Sequence, residues 1–262
     1  MAKLTDKLQE LGKQAPGPLG FGRPRAARKA PSILVIGETG RAGLKDRLAN
    51  AADASLDAVL VHLGEQAQLQ EDEVAALKAH LWGVGVKSVS DEQLTALADA
   101  GCDFLLVESR SAPAVVFRED DMSRAFPIHA GISEEDARPL EDLPIDFYVL
   151  DIDPIWWPLT VEHLIHLQAT VSMVSKNILL KVNSCPSATD LPLIRDLPVD
   201  GLIVDLDTAS KELLSEIRTA VDALAPRKPR SDRGTAALLP QTGHTNADDE
   251  TYEDDDYGDD DE

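Results

Sequence analysis

The sequence has few of the residues on which disulfide-rich and membrane proteins depend. Its only cysteines are Cys102 and Cys185, too few for a disulfide scaffold or for a zinc site built from paired cysteines. No apolar run approaches the roughly 20 residues that cross a bilayer. The first thirty residues also lack the apolar segment of a secretory signal. These absences predict a cytoplasmic protein.

Aromatic residues are scarce as well, at 4% of the 262 residues, whereas hydrophobic residues as a whole make up 43%. That apolar share is sufficient for a sizeable core and too high for a wholly disordered chain. The core is therefore expected to consist of Val, Ile, Leu and Ala, in one large domain or two small ones.

Basic residues are outnumbered by acidic ones, and the net charge of −22 is unevenly distributed. Residues 1–31 carry a net +5, residues 32–225 a net −19 and residues 246–262 a net −11. The central region is thus strongly acidic and repels both nucleic-acid phosphate and anionic lipid. We expect no nucleic-acid partner and no stable membrane association.

The two ends of the chain differ from the centre in composition. Residues 1–31 are predicted to form a disordered basic arm with a short amphipathic helix, since Leu4, Leu8 and Leu11 have helical spacing and Gly and Pro follow. Residues 226–262 are predicted to form a disordered linker and an acidic tail. The tail either solubilises the protein, binds a basic protein partner or folds back on the basic segments 1–31 and 226–233 of the same chain.

Between residues 32 and 225, eight short β-branched runs alternate with helical patterns. The predicted strands are 33–37, 58–63, 84–88, 104–107, 126–130, 147–152, 178–182 and 202–204. The clearest helical segments are 72–81, 91–100, 161–174 and 210–224. The predicted N-caps are Ser90, Ser133, Thr160 and Thr208. The interval between the fourth and fifth runs is ambiguous, because its sequence AVVFREDDMS fits a strand as well as a helix.

The predicted strands begin 20 to 31 residues apart, which is the spacing of βαβ units in a parallel sheet. Eight such units predict a (β/α)8 TIM barrel over residues 32–225. The alternative is an open doubly wound sheet. The first strand–helix turn, GETGRAG, lacks the GxGxxG spacing that binds a pyrophosphate in such sheets, which favours the barrel.

A parallel barrel carries its chemistry at the carboxyl ends of its strands, and here every predicted strand ends in at least one ionisable residue. Carboxylates from several strands can act as general acid and general base, or can bind a divalent cation such as Mg²⁺. We predict Asp151, Asp205 and Lys181 as catalytic residues. Glu38 and Glu108 are predicted to assist, including as metal ligands.

Other residues at this end of the barrel are candidates for substrate binding, namely Lys87, Asn183, His62, Trp156 and Trp157. The two tryptophans follow the sixth strand and fit either a cover for the barrel rim or a stacking surface for a ligand. The loops after the seventh and eighth strands, NSCPSATD and DLDTASKE, contain no glycine. Many barrels bind phosphate with glycine-rich loops at these positions, so we expect a non-phosphorylated substrate.

Two segments, ALADAGCDFLLVES and KVNSCPSATDLPLIRDLPVDGLIVDLD, resemble the strand–helix–strand units of aldolase-type barrels. In that group an alanine, a glycine, a cysteine or valine, and an aspartate recur in this order before an apolar strand. Here the pattern is present as Ala100-Gly101-Cys102-Asp103 and Val199-Asp200-Gly201. The resemblance covers residues 32–225 and implies a barrel architecture, without a catalytic signature of one family.

Two functions follow from these observations. The first is a barrel enzyme that acts on a small metabolite by lyase- or isomerase-like proton transfer, with or without a divalent cation. The second is a non-catalytic barrel that serves as an interaction module through its oppositely charged termini. The sequence carries no complete catalytic motif that would decide between them.

Overall fold

The computed structural model describes residues 2–11, 31–64, 68–118, 121–152, 157–187 and 189–226. Eight parallel strands follow one another in sequence order around a closed barrel, because β1 pairs with β8 as well as with β2. The (β/α)8 barrel is confirmed and the doubly wound sheet is wrong. The strands are β1 (Leu34–Gly40), β2 (Ala58–Gly64), β3 (Trp82–Val86), β4 (Phe104–Val107), β5 (Ser123–His129), β6 (Phe147–Asp151), β7 (Asn177–Val182) and β8 (Gly201–Asp205).

The α-helices are α1 (Lys3–Glu10), α2 (Leu44–Ala51), α3 (Glu71–Leu77), α4 (Asp91–Asp99), α5 (Glu134–Asp142), α6 (Val161–Ser172), α7 (Asp190–Asp196) and α8 (Lys211–Ala223). In its described part, the ambiguous connection between β4 and β5 contains a 3-10 helix, Ala114–Phe117, in place of an α-helix. No described helix is both long enough and apolar enough to span a membrane.

Three of the four predicted helix caps are confirmed, at Ser90, Ser133 and Thr160. The fourth prediction is wrong. α8 is capped by Ser210, whose hydroxyl oxygen accepts a hydrogen bond from the Leu213 amide at 3.2 Å. The Thr208 hydroxyl instead donates to the Asp205 carboxylate at 3.0 Å, so it belongs to the loop before the helix.

The alternation of side chains along the strands divides the core into two clusters. One cluster lies between the strands and the surrounding helices. The other fills the barrel interior and includes Leu34, Leu60, Phe104, Phe147 and Ile203. Phe104 and Phe147 meet edge to face there, with ring centroids 5.8 Å apart. The interior is thus packed with side chains, as in other barrels of this size.

Strand β3 adds no side chain to this interior. Its Trp82, Val84 and Val86 belong to the outer cluster, whereas Gly83 and Gly85 alternate with them. A Cβ at Gly83 would overlap the ring of Phe104. The absence of a side chain at position 83 therefore makes the room that the large Phe104 side chain occupies.

Helix α1 packs against the barrel interior. Leu4 and Leu8 are 0% and 2% exposed and belong to the same cluster as Phe104 and Phe147. The amphipathic helix is confirmed, but the expectation that all of residues 1–31 lie outside the core is wrong. Residues 12–30 and 227–262 lie outside the described residues, so the predicted arm and tail stay predictions.

An aspartate precedes every second strand and joins it to the strand before. The backbone amides of Asp57, Asp103, Asp146 and Asp200 donate to the carbonyl oxygens of Val35, Trp82, Arg124 and Ile178 at 2.7–2.8 Å. Three of the carboxylates also accept a hydrogen bond from the amide of the same partner residue, at Val35, Arg124 and Ile178. Four of the eight strand pairs are therefore tied at their amino ends by an aspartate amide, and three of them by its carboxylate as well.

The carboxylate of Asp103 is the exception, and it holds α1. Its two oxygens accept hydrogen bonds from the amides of Lys3 and Leu4 at 2.8 and 2.9 Å. These amides belong to the first turn of the helix, where backbone donors have no partner within the helix. Asp103 thereby fixes the end of α1 while Leu4 and Leu8 fill the interior.

We expect Leu4→Ala to lower the free energy of unfolding by about 2–4 kcal/mol, because it leaves a cavity between α1 and the barrel. Gln9→Ala is the matched control, since Gln9 is exposed on the same helix. Urea unfolding followed by circular dichroism measures both. Equal stability of the two variants would show that α1 does not contribute to the core.

Candidate functional site

Charged side chains continue the inward-facing rows of apolar residues at the carboxyl ends of the strands. On β1, Glu38 follows Leu34 and Ile36 at intervals of two residues, and both leucine and isoleucine belong to the interior cluster. The same alternation places His62 after Leu60 on β2. Glu108 just beyond β4 and Lys181 on β7 follow by the same spacing. The barrel interior therefore changes from apolar to charged at this end.

Four of these side chains form a continuous chain of ion pairs, which we call the mouth row. The Lys181 ammonium donates to Glu38 Oε2 at 2.8 Å, and the same oxygen lies 2.9 Å from His62 Nε2. On the other side of the ring, His62 Nδ1 lies 2.5 Å from Glu108 Oε1. The mouth row thus alternates in sign across β7, β1, β2 and β4.

The two carboxylates control the charge of the imidazole between them. Burial alone would lower the pKa of His62, but hydrogen bonds to Glu108 and Glu38, together with their charges, raise it to about 9. For Glu38, burial favours the neutral acid, and the His62 hydrogen bond and the Lys181 charge outweigh it, so the pKa of Glu38 is lowered. At neutral pH the row therefore contains a protonated imidazole between carboxylates.

All four side chains remain partly open to solvent. The exposed fractions are 13% for Glu38, 28% for His62, 19% for Glu108 and 25% for Lys181. A molecule that enters the barrel mouth would meet a proton donor, an ammonium group and carboxylates within one half-buried surface. This combination supplies the groups that acid/base catalysis needs.

The two predicted catalytic aspartates lie near this end of the barrel but outside the mouth row. Asp151 ends β6 and is exposed. Asp205 ends β8, and its carboxylate accepts hydrogen bonds from the Asp207 amide at 2.8 Å and the Thr208 hydroxyl at 3.0 Å. Asp205 therefore shapes the loop after β8. The catalytic roles assigned to both residues stay predictions.

Asp207, which the sequence places close to Asp205, joins a different set of contacts. Its carboxylate accepts a hydrogen bond from the Thr39 hydroxyl at 2.6 Å and pairs with Arg47 at 2.8 Å. These contacts connect the loop after β8 to the end of β1 and to α2. Asp207 thereby fixes its loop against the neighbouring strand and helix.

The predicted substrate-binding residues are distributed unevenly. His62 lies at the centre of the mouth row, whereas Lys87 and Asn183 are exposed beyond the ends of β3 and β7. Trp157 is half-buried against the outer apolar cluster, as expected of a residue that covers the rim. Trp156 lies outside the described residues.

The metal-ligand roles of Glu38 and Glu108 stay predictions. Within the described ranges, no group of three or more His, Cys, Asp or Glu side chains is arranged to hold a metal ion. The two carboxylates are instead turned toward cationic side chains, Glu38 toward His62 and Lys181 and Glu108 toward His62.

Sequence reasoning missed the connection of these residues into one row, and it missed Gly85. Spacing by two along β1, β2 and β4 was a usable signal for a shared inward face. The contact between His62 and Glu108 spans an intervening strand, however, and depends on the absence of a side chain there. A Cβ at Gly85 would overlap Glu108 Oε1 and lie 2.8 Å from His62 Nδ1.

The protonated state of His62 predicts a pH dependence of stability. His62 keeps its proton up to about pH 9 in the folded protein and loses it near 6.5 when unfolded. The stabilisation is therefore fully present below about pH 6.5 and is lost as the pH rises through about 9. The expected loss is on the order of 2–3 kcal/mol in the free energy of unfolding.

Urea denaturation at about pH 6 and about pH 9.5 measures this loss. His62→Asn should flatten the dependence, whereas His166→Asn, on the exposed face of α6, should preserve it. If the free energy of unfolding falls equally with rising pH in the wild type and in His62→Asn, the pH dependence does not come from His62.

No family model and no curated protein matches the sequence. Solved structures match it in fold. Tryptophan synthase from Mycobacterium tuberculosis superposes with a TM-score of 0.54 at 12% identity, over 72% of this chain and 92% of that chain. A mutant tryptophan synthase alpha-subunit from Pyrococcus furiosus gives 0.52 at 10% identity, over 73% and 97%.

A protein from Aquifex aeolicus VF5 gives a TM-score of 0.57 at 10% identity, over 84% of this chain and 99% of that chain. At such low identity the likeness concerns the fold alone. It agrees with the (β/α)8 barrel that the strand order shows.

Proposed function

We propose that this chain is a barrel enzyme that carries out acid/base chemistry, of the lyase or isomerase type, on a small non-phosphorylated metabolite. The observation that carries the proposal is the mouth row, in which Lys181, Glu38, His62 and Glu108 alternate in charge at the carboxyl ends of the strands. In parallel barrels this end carries the active site. The similar solved structures include synthases, which agrees with an enzyme but does not identify a substrate.

The proposed roles follow from the charge and position of each group. His62 is protonated at neutral pH and acts as the general acid. Because both of its ring N–H groups bond to carboxylates, its Nδ1 proton passes to the Glu108 carboxylate, which delivers a proton from its other oxygen to a substrate oxygen. Asp151, exposed at the end of β6, removes a proton from a neighbouring substrate carbon as the general base. Lys181 orients the substrate oxygen through its N–H groups. One proton enters and one leaves the substrate, so its net charge is unchanged.

Glu38 and Glu108 support this cycle by holding the imidazole from both ring nitrogens. The side chain of His62 is thereby fixed in one orientation, which favours proton transfer to a bound molecule over exchange with bulk water. Glu38 also keeps Lys181 in place, because one of its oxygens contacts both cations. Assistance by a divalent cation is part of the proposal, so added Mg²⁺ is a variable of the test.

An unbiased turnover screen tests the proposal. Purified protein is incubated with a small-molecule extract, with and without Mg²⁺, and mass spectrometry records which metabolites are consumed and formed. We expect His62→Gln and Glu108→Gln to slow the identified conversion by at least about 100-fold, a typical contribution of a general acid.

Two variants carry the same types of substitution, His to Gln and Glu to Gln, on the outer helices and serve as controls. His166→Gln on α6 and Glu92→Gln on α4 change exposed helix residues that are not members of the mouth row. Both should retain wild-type turnover. If the extract stays unchanged under all conditions, or if His62→Gln and His166→Gln turn over equally, the acid/base proposal fails.

A further inference from the structure

The contact between His62 and Glu108 in the mouth row crosses strand β3. His62 is on β2 and Glu108 follows β4, while β3 pairs with both strands. Neighbouring strands are about 4.8 Å apart, so the backbones of β2 and β4 are separated by roughly 10 Å. The two side chains nevertheless meet at 2.5 Å between His62 Nδ1 and Glu108 Oε1. They can do so only by passing over the inward face of β3.

Gly85 lies at the point of crossing. On one side it is the direct strand partner of His62, and on the other it is the partner of Leu106, two residues before Glu108. A Cβ at this position would lie 2.8 Å from His62 Nδ1 and would overlap the Glu108 carboxylate. Any side chain at position 85 therefore competes for the space in which the ion pair forms.

We propose that Gly85 is a positioning residue, whose missing side chain lets the Glu108 carboxylate reach across β3 to His62. The contact itself is independent of the proposed function. Its consequence for proton transfer rests on that function, because it assigns the general acid to His62.

The two glycines of β3 leave space for different side chains. Gly83 accommodates Phe104, and a Cβ there would overlap both its ring and its backbone carbonyl oxygen. The backbone cannot move aside easily, so substitution of Gly83 is expected to damage the fold. At Gly85 the groups in the way are the ends of two polar side chains, which can rotate. Substitution of Gly85 should therefore change the site more than the fold.

The three other charged groups of the mouth row determine the titration of His62 in this test. Glu108 faces its Nδ1, Glu38 faces its Nε2, and Lys181 pairs with Glu38 from β7. Gly85→Ala displaces Glu108 and leaves Glu38 and Lys181 in place. His62 then loses one of its two carboxylate partners, so the protonated imidazole is less favoured.

The experiment follows the His62 ring by nuclear magnetic resonance as a function of pH. We expect Gly85→Ala to lower the pKa of His62 by about one unit or more relative to the wild type. Gly40→Ala is the matched control. Gly40 is the partner of His62 on β1, and a Cβ there would meet only Asp207 at an ordinary 3.5 Å. This variant should titrate like the wild type.

A cycle with Glu108→Gln separates positioning from a general disturbance. If Gly85 acts through Glu108, the double variant should titrate like Glu108→Gln alone, because the carboxylate contact is already lost. If Gly85→Ala does not fold, Glu108→Asp shortens the reach of the carboxylate on the wild-type backbone and should lower the pKa of His62 in the same direction.

A folded Gly85→Ala protein with a wild-type His62 titration overturns the positioning role, as does full additivity in the cycle. Neither result depends on a known substrate. Conversely, a lowered pKa of His62 without a matching shift in the basic limb of the turnover pH profile would retain the positioning role and contradict His62 as the general acid.

Discussion

An eight-stranded barrel closes only if inward-facing side chains fill a small interior volume, and this packing constraint governs the rest of the structure. With few aromatic residues in the chain, Phe104 and Phe147 occupy much of the middle, and Gly83 leaves space for the first of them. At the amino end of the strands, Leu4 and Leu8 of α1 complete the apolar filling. At the carboxyl end, the filling consists of charged groups that neutralise one another.

The charge alternation in the mouth row is what makes a half-buried set of ions tolerable. Taking a single charge out of water is costly, and the cost is offset only where each ion has well-placed partners of opposite sign. Glu38 pairs with two cations and His62 pairs with two carboxylates, so each of these inner members has two partners of opposite charge. The other acids of the same end behave differently. Asp205 and Asp207 use their oxygens to fix loops.

Most of the barrel could be predicted from sequence, because strands buried on both faces appear as β-branched runs at regular spacing. The polar strand ends could be predicted as well, because they directly follow these runs. The His62–Glu108 contact was not, since local patterns carry no information about a side chain that crosses a neighbouring strand. The packing of α1 was missed because Leu4 and Leu8 show that the helix has an apolar face, but not which surface covers it. Thr208 was mistaken for a cap because Ser210, two residues later, fits the same pattern.

The fixation of α1 by Asp103 has a consequence for the order of events on the ribosome. The amides of Lys3 and Leu4 are bound by a residue about one hundred positions later, and Thr5 contacts Ser123 further on. The first turn of α1 therefore lacks these native partners until β4 and the start of β5 have been synthesised. Throughout that interval the nascent chain exposes Leu4 and Leu8, so chaperones that bind apolar segments would meet this helix before the barrel does.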